Sequence, residues 1–199
     1  MNNFLLIRHG NSEAAAFAPG RMSDVHLSDE GKKQAARLAH HLQDYKIDMV
    51  ISSPLDRTME TAGIIATYLK IKVQIMDGLL ELDLGEWTGM TFLQLEKNSS
   101  WKQYHSHRSA VRIPGGEMFI ETQKRMVNII QELKERYTDS TIALVSHGDP
   151  IKSVICYYAG IPVDKSNDID IDTASASMLA IDDYNAEIKF VNKWGSRLR

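Results

Sequence analysis

One cysteine among 199 residues leaves no internal disulfide possible, which excludes the disulfide-stapled secreted scaffolds and fits a reducing cytoplasm. That residue, Cys156, lies in the apolar helical stretch Ile151–Ala159, where a thiol packs as a small hydrophobe in preference to acting as a nucleophile. Nor is there a run of about 20 apolar residues, the length a membrane helix needs. The opening apolar run stops at Arg8 with no basic segment before it and no cleavage site after it, so it does not read as a signal peptide. Positive charge is not in surplus either. Lys and Arg number 23 against 26 Asp and Glu, a net charge of -3, and this argues against nucleic acid or an anionic membrane as partner. A cationic pocket remains compatible with that total. Repeats, low-complexity tracts and linkers are absent, and the expectation is one domain spanning 1–199.

What is present is an alternation of strand-like and helix-like segments. Phe4-Leu5-Leu6-Ile7 is a buried strand that empties into Arg8-His9-Gly10-Asn11. Ser28 reads as an N-cap with Asp29 and Glu30 in the first turn of a helix whose stripe is Ala35, Leu38, Ala39 and Leu42. His40 and His41 beside that stripe read as surface or interface residues. Asp48–Ser53 is a second strand ended by Pro54, and a helix follows over Leu55–Leu69 with Arg57 in its first turn. A cation is unfavourable at that end of the helix dipole, whereas an anionic ligand there is favoured. Lys72–Met76 reads as a third strand. An acidic, glycine-bearing loop from Leu79 to Gly89 leads into a poorly periodic stretch that reaches Pro114-Gly115-Gly116, read as an excursion covering the sheet edge, its aromatics mostly packing a small satellite core. Glu117–Tyr137 is a strong helix, and Thr141–Ser146 a fourth strand that empties into His147-Gly148-Asp149-Pro150, with Asp149 as a cap and Pro150 at the first helical position. Ser177–Ile181 and Glu187–Val191 close the chain as short strands around a turn near Asn185.

This order predicts an α/β fold, a three-layer α/β/α sandwich whose mostly parallel central sheet carries an antiparallel edge. If the strands run parallel, their carboxyl ends share one rim, where ligands bind in open α/β sheets. Arg8, His9, Arg57, Glu81 and His147 then converge. Two permanently charged, forked guanidiniums suit phosphate oxygens better than lysines do. Singly, each residue has a plainer use: Arg57 can pair with Asp56 or Glu60, and Glu81 can be a solvated loop acid.

Five ordered pieces carry a resemblance. They are Arg8-His9-Gly10; Ser52-Ser53-Pro54-Leu55-Asp56-Arg57-Thr58 with Thr61-Ala62; Glu81 ahead of Gly85-Glu86-Trp87-Thr88-Gly89; Pro114-Gly115-Gly116-Glu117; and Ser146-His147-Gly148. On these the chain resembles the histidine phosphatase superfamily, which also contains phosphoglycerate mutase. The resemblance implies a phosphoglycerate mutase-like fold. It further implies a phosphomonoesterase acting on a small phosphorylated metabolite through a phosphohistidine, without metal or other cofactor. By it, His9 is the nucleophile and Glu81 the proton donor and acceptor, preferred over Asp83 and Glu86 for its spacing to Gly85. Arg8, Arg57 and His147 surround the phosphoryl oxygens, and Asn11 and Gly148 join them in binding phosphate. The excursion over roughly 82–117 would set specificity.

The departures favour hydrolysis over mutase chemistry. Mutases of the superfamily usually carry an Asn where Ala15 stands, and an Arg and a Tyr where Leu82 and Leu84 stand. Leucines cannot hold the carboxylate of a phosphoglycerate. Phosphoglycerate mutase remains the alternative, followed by a non-catalytic phospho-ligand module. Met118 replaces the Ser or Thr that often follows Gly-Gly-Glu. His26, His105 and His107 read as non-catalytic. The His105-x-His107 pair lacks a third ligand at matching spacing for a metal.

Overall fold

The computed structural model describes residues 1–195. Four parallel strands, β1 (Asn2–Arg8), β2 (Met49–Ser52), β3 (Val73–Ile75) and β4 (Thr141–Ser146), join the antiparallel pair β5 (Ala176–Ile181) and β6 (Ala186–Lys193). The six form one sheet in the order β3-β2-β4-β1-β5-β6. Residues of β1 alternate between the two faces, as the two-residue period of a strand requires. Phe4 and Leu6 join Leu144 against α5 (Phe119–Arg136) and α6 (Gly148–Ala159), meeting Met126, Ile130, Leu133, Ile151 and Val154. Leu5 and Ile7 join Ala143 and Val145 on the other face. There α1 (Asp29–Leu42) and α2 (Asp56–Leu69) supply Leu38, Leu42, Ala62 and Ile65. The result is the expected three-layer α/β/α sandwich with its antiparallel edge. Phe4 through Ile7 are at most 1% exposed, so each stabilises the strand by about 1.5–3 kcal/mol.

Register decides what meets at the rim. Arg8 lies opposite Ser146, and Ser52 opposite Val145. The residues that follow, His9, Ser53 and His147, therefore leave three adjacent parallel strands at one edge.

The structure corrects two local readings. α6 begins at Gly148 with His147 in the N-cap position, so Asp149 is already helical and Pro150 is the third helical residue, where its missing N–H is still harmless. The physical reason is a competing partner. The Asp149 carboxylate accepts from Arg108 Nη1 at 2.9 Å instead of capping the helix. The excursion, read as aperiodic, holds two short helices, α3 (Phe92–Lys97) and α4 (Ser99–Ser106). Asn98 ends the first and caps the second through its Oδ1, which accepts from Ser100 and Trp101 N–H. Two helices with a break between them show no common period. Leu82, Leu84, Trp87, Leu95, Tyr104, Ile113 and Phe119 pack together as a satellite core, as expected for most of the aromatics, while Phe92 stays exposed. Gly85 has φ +46°, and a Cβ on it would lie 2.2 Å from the Pro114 carbonyl oxygen. Only glycine lets these two turns stack so closely. His40 and His41 are exposed, His41 lying flat on Trp194 with ring centroids 5.7 Å apart.

Candidate active site

His9 is the first residue past β1, and its main chain is held on both sides. Its N–H donates to Ser146 O at 3.1 Å, and its carbonyl accepts from Ala174 N–H at 3.1 Å. The ring Nδ1–H donates to Gly10 O at 2.7 Å, which selects the tautomer that leaves the Nε2 lone pair available. Burial, reinforced by the Arg8 and Arg57 charges, pushes the imidazole well below its usual range, so the ring is neutral at ordinary pH. Gly10 is where backbone meets backbone, since a Cβ there would sit 2.5 Å from Gly31 O. Its N–H donates to Thr61 Oγ1, which itself donates to Arg57 O. This chain of bonds ties the end of β1 to the first turn of α2.

His147 follows β4 and is fully buried. Its ring lies edge-on to His9, with centroids 5.2 Å apart, and its Nε2 is 2.9 Å from Ser53 Oγ, the residue just past β2. In the tautomer that accepts from the Ser53 hydroxyl at Nε2, Nδ1 carries the proton. Among the described residues this buried Nδ1 has no hydrogen-bond partner. Arg57 is only 1% exposed. It donates through Nη2 to Gly20 O (2.7 Å) and through Nη1 to Met22 O (3.2 Å), and its Nε is likewise buried without a partner among the described residues. It pairs with neither neighbouring acid. Asp56 accepts from Asp24 N–H, and Glu60 accepts from His26 and Leu27 N–H. Unsatisfied buried donors are rare in folded proteins, and those of Arg57 and His147 suit an anionic oxygen. Arg8 donates through Nη1 to Ile171 O at 2.6 Å. Gly148 lies against it, so close that an added Cβ would be 3.7 Å from the guanidinium carbon. Asn11 is exposed, its Oδ1 accepting from Thr173 Oγ1 at 2.8 Å, and it lines a cleft together with Arg8.

Glu81 is half-buried at the base of the excursion. Burial first, and the Asp149 carboxylate second, push its carboxyl up to about 7, against the pull of Arg57 and Arg8. Its two sequence neighbours are differently placed. Glu86 is exposed, and Asp83 is spent accepting from Gly85 N–H at 2.9 Å. The Glu81 main chain is clamped: its carbonyl oxygen accepts from Arg21 Nε at 2.8 Å and from Arg125 Nη2 at 3.1 Å. Glu117 bridges those two arginines, at 2.7 Å and 3.3 Å.

Sequence reasoning did not find Arg21, Arg125, Arg108 or the role of Asp149. Glu117 stood out only as the end of Pro-Gly-Gly-Glu. Leu82 and Leu84, the positions where the mutase pattern breaks, are buried in the satellite core. His105 donates Nδ1–H to Trp101 O and packs on that ring. Away from the strand ends, Asp24, His26 and Asp56 bring one donor atom each within 4.8 Å of the others. These groups lie at the surface, where clustered acids are common without an ion.

The fold recurs in known proteins. A family model described as histidine phosphatase superfamily (branch 1) matches residues 4–193. Phosphoserine phosphatase 1 of Hydrogenobacter thermophilus is 30% identical over 195 residues, covering 96% of this chain and 92% of the relative. Glucosyl-3-phosphoglycerate phosphatase of Mycolicibacterium vanbaalenii is 29% identical over 174 residues, 82% of this chain and 77% of the relative. Among solved structures, a mycobacterial glucosyl-3-phosphoglycerate phosphatase superposes with a TM-score of 0.87 at 24% identity, over 96% of this chain and 99% of that one, a likeness of fold. With its strand order, its paired histidines and a family match over nearly its whole length, the chain belongs to the histidine phosphatase superfamily.

Proposed function

We propose that this protein hydrolyses phosphomonoesters of small metabolites through a phosphohistidine at His9, within one domain whose 82–117 excursion covers the site. The observation that carries the reading is the 2.7 Å bond from His9 Nδ1–H to Gly10 O. It leaves a neutral Nε2 lone pair free under the influence of two guanidiniums, as an oriented nucleophile requires. In the first step the Nε2–P bond forms as the bond from phosphorus to the leaving oxygen breaks, and Glu81 gives its proton to that oxygen. In the second, the Glu81 carboxylate takes a proton from water, the water oxygen bonds to phosphorus, and the P–Nε2 bond breaks. Phosphate leaves, and His9 and protonated Glu81 are restored. Arg8 and Arg57 neutralise the equatorial oxygens, and His147, which burial holds neutral, faces them as a polar partner, with Asn11 and Gly148 at the edge of the same pocket. Phosphoryl transfer is mainly positioning plus electrostatics, and the two guanidiniums supply the charge that a metal supplies elsewhere. A carboxyl held near 7 can serve as acid and then as base at neutral pH. The names of the phosphoserine and glucosyl-3-phosphoglycerate relatives support a small phosphorylated metabolite as substrate.

The test is hydrolysis of p-nitrophenyl phosphate by the purified protein with a chelator present, alongside His9→Asn. Turnover that persists in chelator, disappears in the variant and leaves an acid-labile phosphoryl label on wild type alone is the expected result. Full activity in His9→Asn would overturn the mechanism.

A further inference from the structure

Arg57 takes its orientation from a loop. Its Nη2 donates to Gly20 O at 2.7 Å and its Nη1 to Met22 O at 3.2 Å, so both arms of the guanidinium fork rest on carbonyls of the segment between β1 and α1. Where that segment sits therefore decides where the unpartnered Nε points. The same segment runs on across the first turns of α2 and is fastened there. Asp24 N–H donates to Asp56 Oδ2 at 2.9 Å. Glu60, further along the helix, takes two donors at once: His26 Nδ1–H reaches its Oε1 at 2.5 Å, and Leu27 N–H reaches its Oε2 at 3.1 Å. Val25 and Leu27 are buried while His26 between them is exposed, the alternation of an extended stretch.

Glu60 is the fifth residue of α2, past the first turn in which the helix dipole favours a carboxylate. Among the described residues its carboxylate pairs with no lysine or arginine, and both of its partners lie on the loop. The bond to Glu60 holds the His26 imidazole above its usual range, with Asp56 and Glu13 adding to the pull, as a charge-assisted contact does. We propose that Glu60 is a positioning residue for the phosphoryl site: by clasping His26 and Leu27 it holds the Gly20 and Met22 carbonyls in place, and through them it aims Arg57 Nε at the transferring phosphoryl group. The assignment rests on the phosphomonoesterase reading and deepens it. Arg57 acts on the oxygens that stay with phosphorus, so the clasp serves every leaving group alike. That separates it from Glu117, whose two arginines hold the carbonyl of the acid, Glu81.

The test is a double-mutant cycle on Glu60 and Arg57 with two readouts: affinity for inorganic phosphate by calorimetry, and kcat/KM on p-nitrophenyl phosphate and glycerol phosphate. Glu60→Ala should weaken phosphate binding and lower kcat/KM by about 10-fold, equally on both substrates, the scale of misplacing a positioned group by less than about 1 Å. Glu60→Gln keeps one acceptor oxygen and should recover part of the loss. In the Arg57→Ala background, Glu60→Ala should cost less than about 2-fold more, because the residue it acts through is gone. His26→Ala alters an exposed side chain and should give the same pattern at smaller size, so the cycle can be completed even where Glu60→Ala does not fold. Wild-type values in Glu60→Ala, losses that simply multiply in the double variant, or a loss confined to the alkyl substrate overturn the assignment. Wild type inactive on both substrates overturns the phosphatase reading instead, and phosphate affinity across the cycle then decides the clasp by itself.

Discussion

Replacing Glu81 by Gln removes the proposed acid and base while keeping the shape of the side chain, and its consequences divide by leaving group. With its carboxyl at about 7, Glu81 is about nine-tenths protonated at pH 6. A carboxyl at its ordinary value would be only a few per cent protonated, so the environment raises the population of the competent acid roughly 30-fold, about 2 kcal/mol. General acid catalysis contributes about 10²- to 10⁴-fold, and it matters most where the leaving oxygen is strongly basic. For an alkyl phosphate, Glu81→Gln should therefore lower kcat/KM by about 10³-fold, roughly 4 kcal/mol. For p-nitrophenyl phosphate, whose leaving group departs without a proton, the fall in kcat/KM should stay below about 10-fold. The second step still needs a base, so the variant should release one equivalent of nitrophenolate in a burst, then turn over slowly while phosphohistidine accumulates. Wild-type kcat/KM on the alkyl substrate should decline as pH rises through about 7, and that limb should vanish in the variant. Stability gives an independent readout. A carboxyl raised in the folded state binds more protons than the unfolded chain between its ordinary value and about 7, so wild type loses stability as pH rises through that window. At pH 8 Glu81→Gln should be more stable than wild type by up to about 3 kcal/mol, and the difference should close below the ordinary carboxyl range. Equal losses on both substrates with no burst would refute Glu81 as the proton donor.

Arg57→Ala should reduce kcat/KM by about 10²-fold, near 3 kcal/mol, the scale of one preorganised donor to a developing oxyanion. Arg57→Lys should recover little, because lysine lacks both the Nε donor and the fork that reaches Gly20 O and Met22 O; steady-state kinetics on one aryl phosphate decide this, and full recovery by lysine would contradict it. Glu117→Gln should loosen the two arginines that hold the Glu81 carbonyl. Its cost should follow the leaving group as that of Glu81→Gln does, about 10-fold on the alkyl phosphate, whereas a loss equal on alkyl and aryl substrates would mean general unfolding of the loop.

The parts of the site legible in the sequence are those that a strand carries to its own end. Arg8, His9 and His147 could be placed together because β1 and β4 are short apolar runs that stop in the same way. Parallel pairing then puts Arg8 opposite Ser146. Arg57 was visible as a cation at the wrong end of a helix dipole, and burial against Gly20 O and Met22 O explains how it is kept there. The supporting residues follow a different logic. Arg21 comes from one segment and Glu117 with Arg125 from another, the two arginines 60 and 44 residues from Glu81. Their convergence depends on how the excursion folds back, through Gly85 and Pro114, onto the sheet edge. No local period encodes that return. Asp149 shows the limit most clearly. Its position beside Pro150 reads as a helix cap by every local criterion, yet a buried guanidinium 41 residues away takes the carboxylate. In that place it raises Glu81 toward neutrality instead of stabilising a helix end. The nucleophile and Arg8 thus follow from a strand terminus, whereas the tuning of the acid follows from burial under the excursion and, second, from a carboxylate held by a long-range ion pair. A chain keeping the first set but losing Asp149 would be expected to bind phosphate yet protonate a leaving alcohol less well at neutral pH.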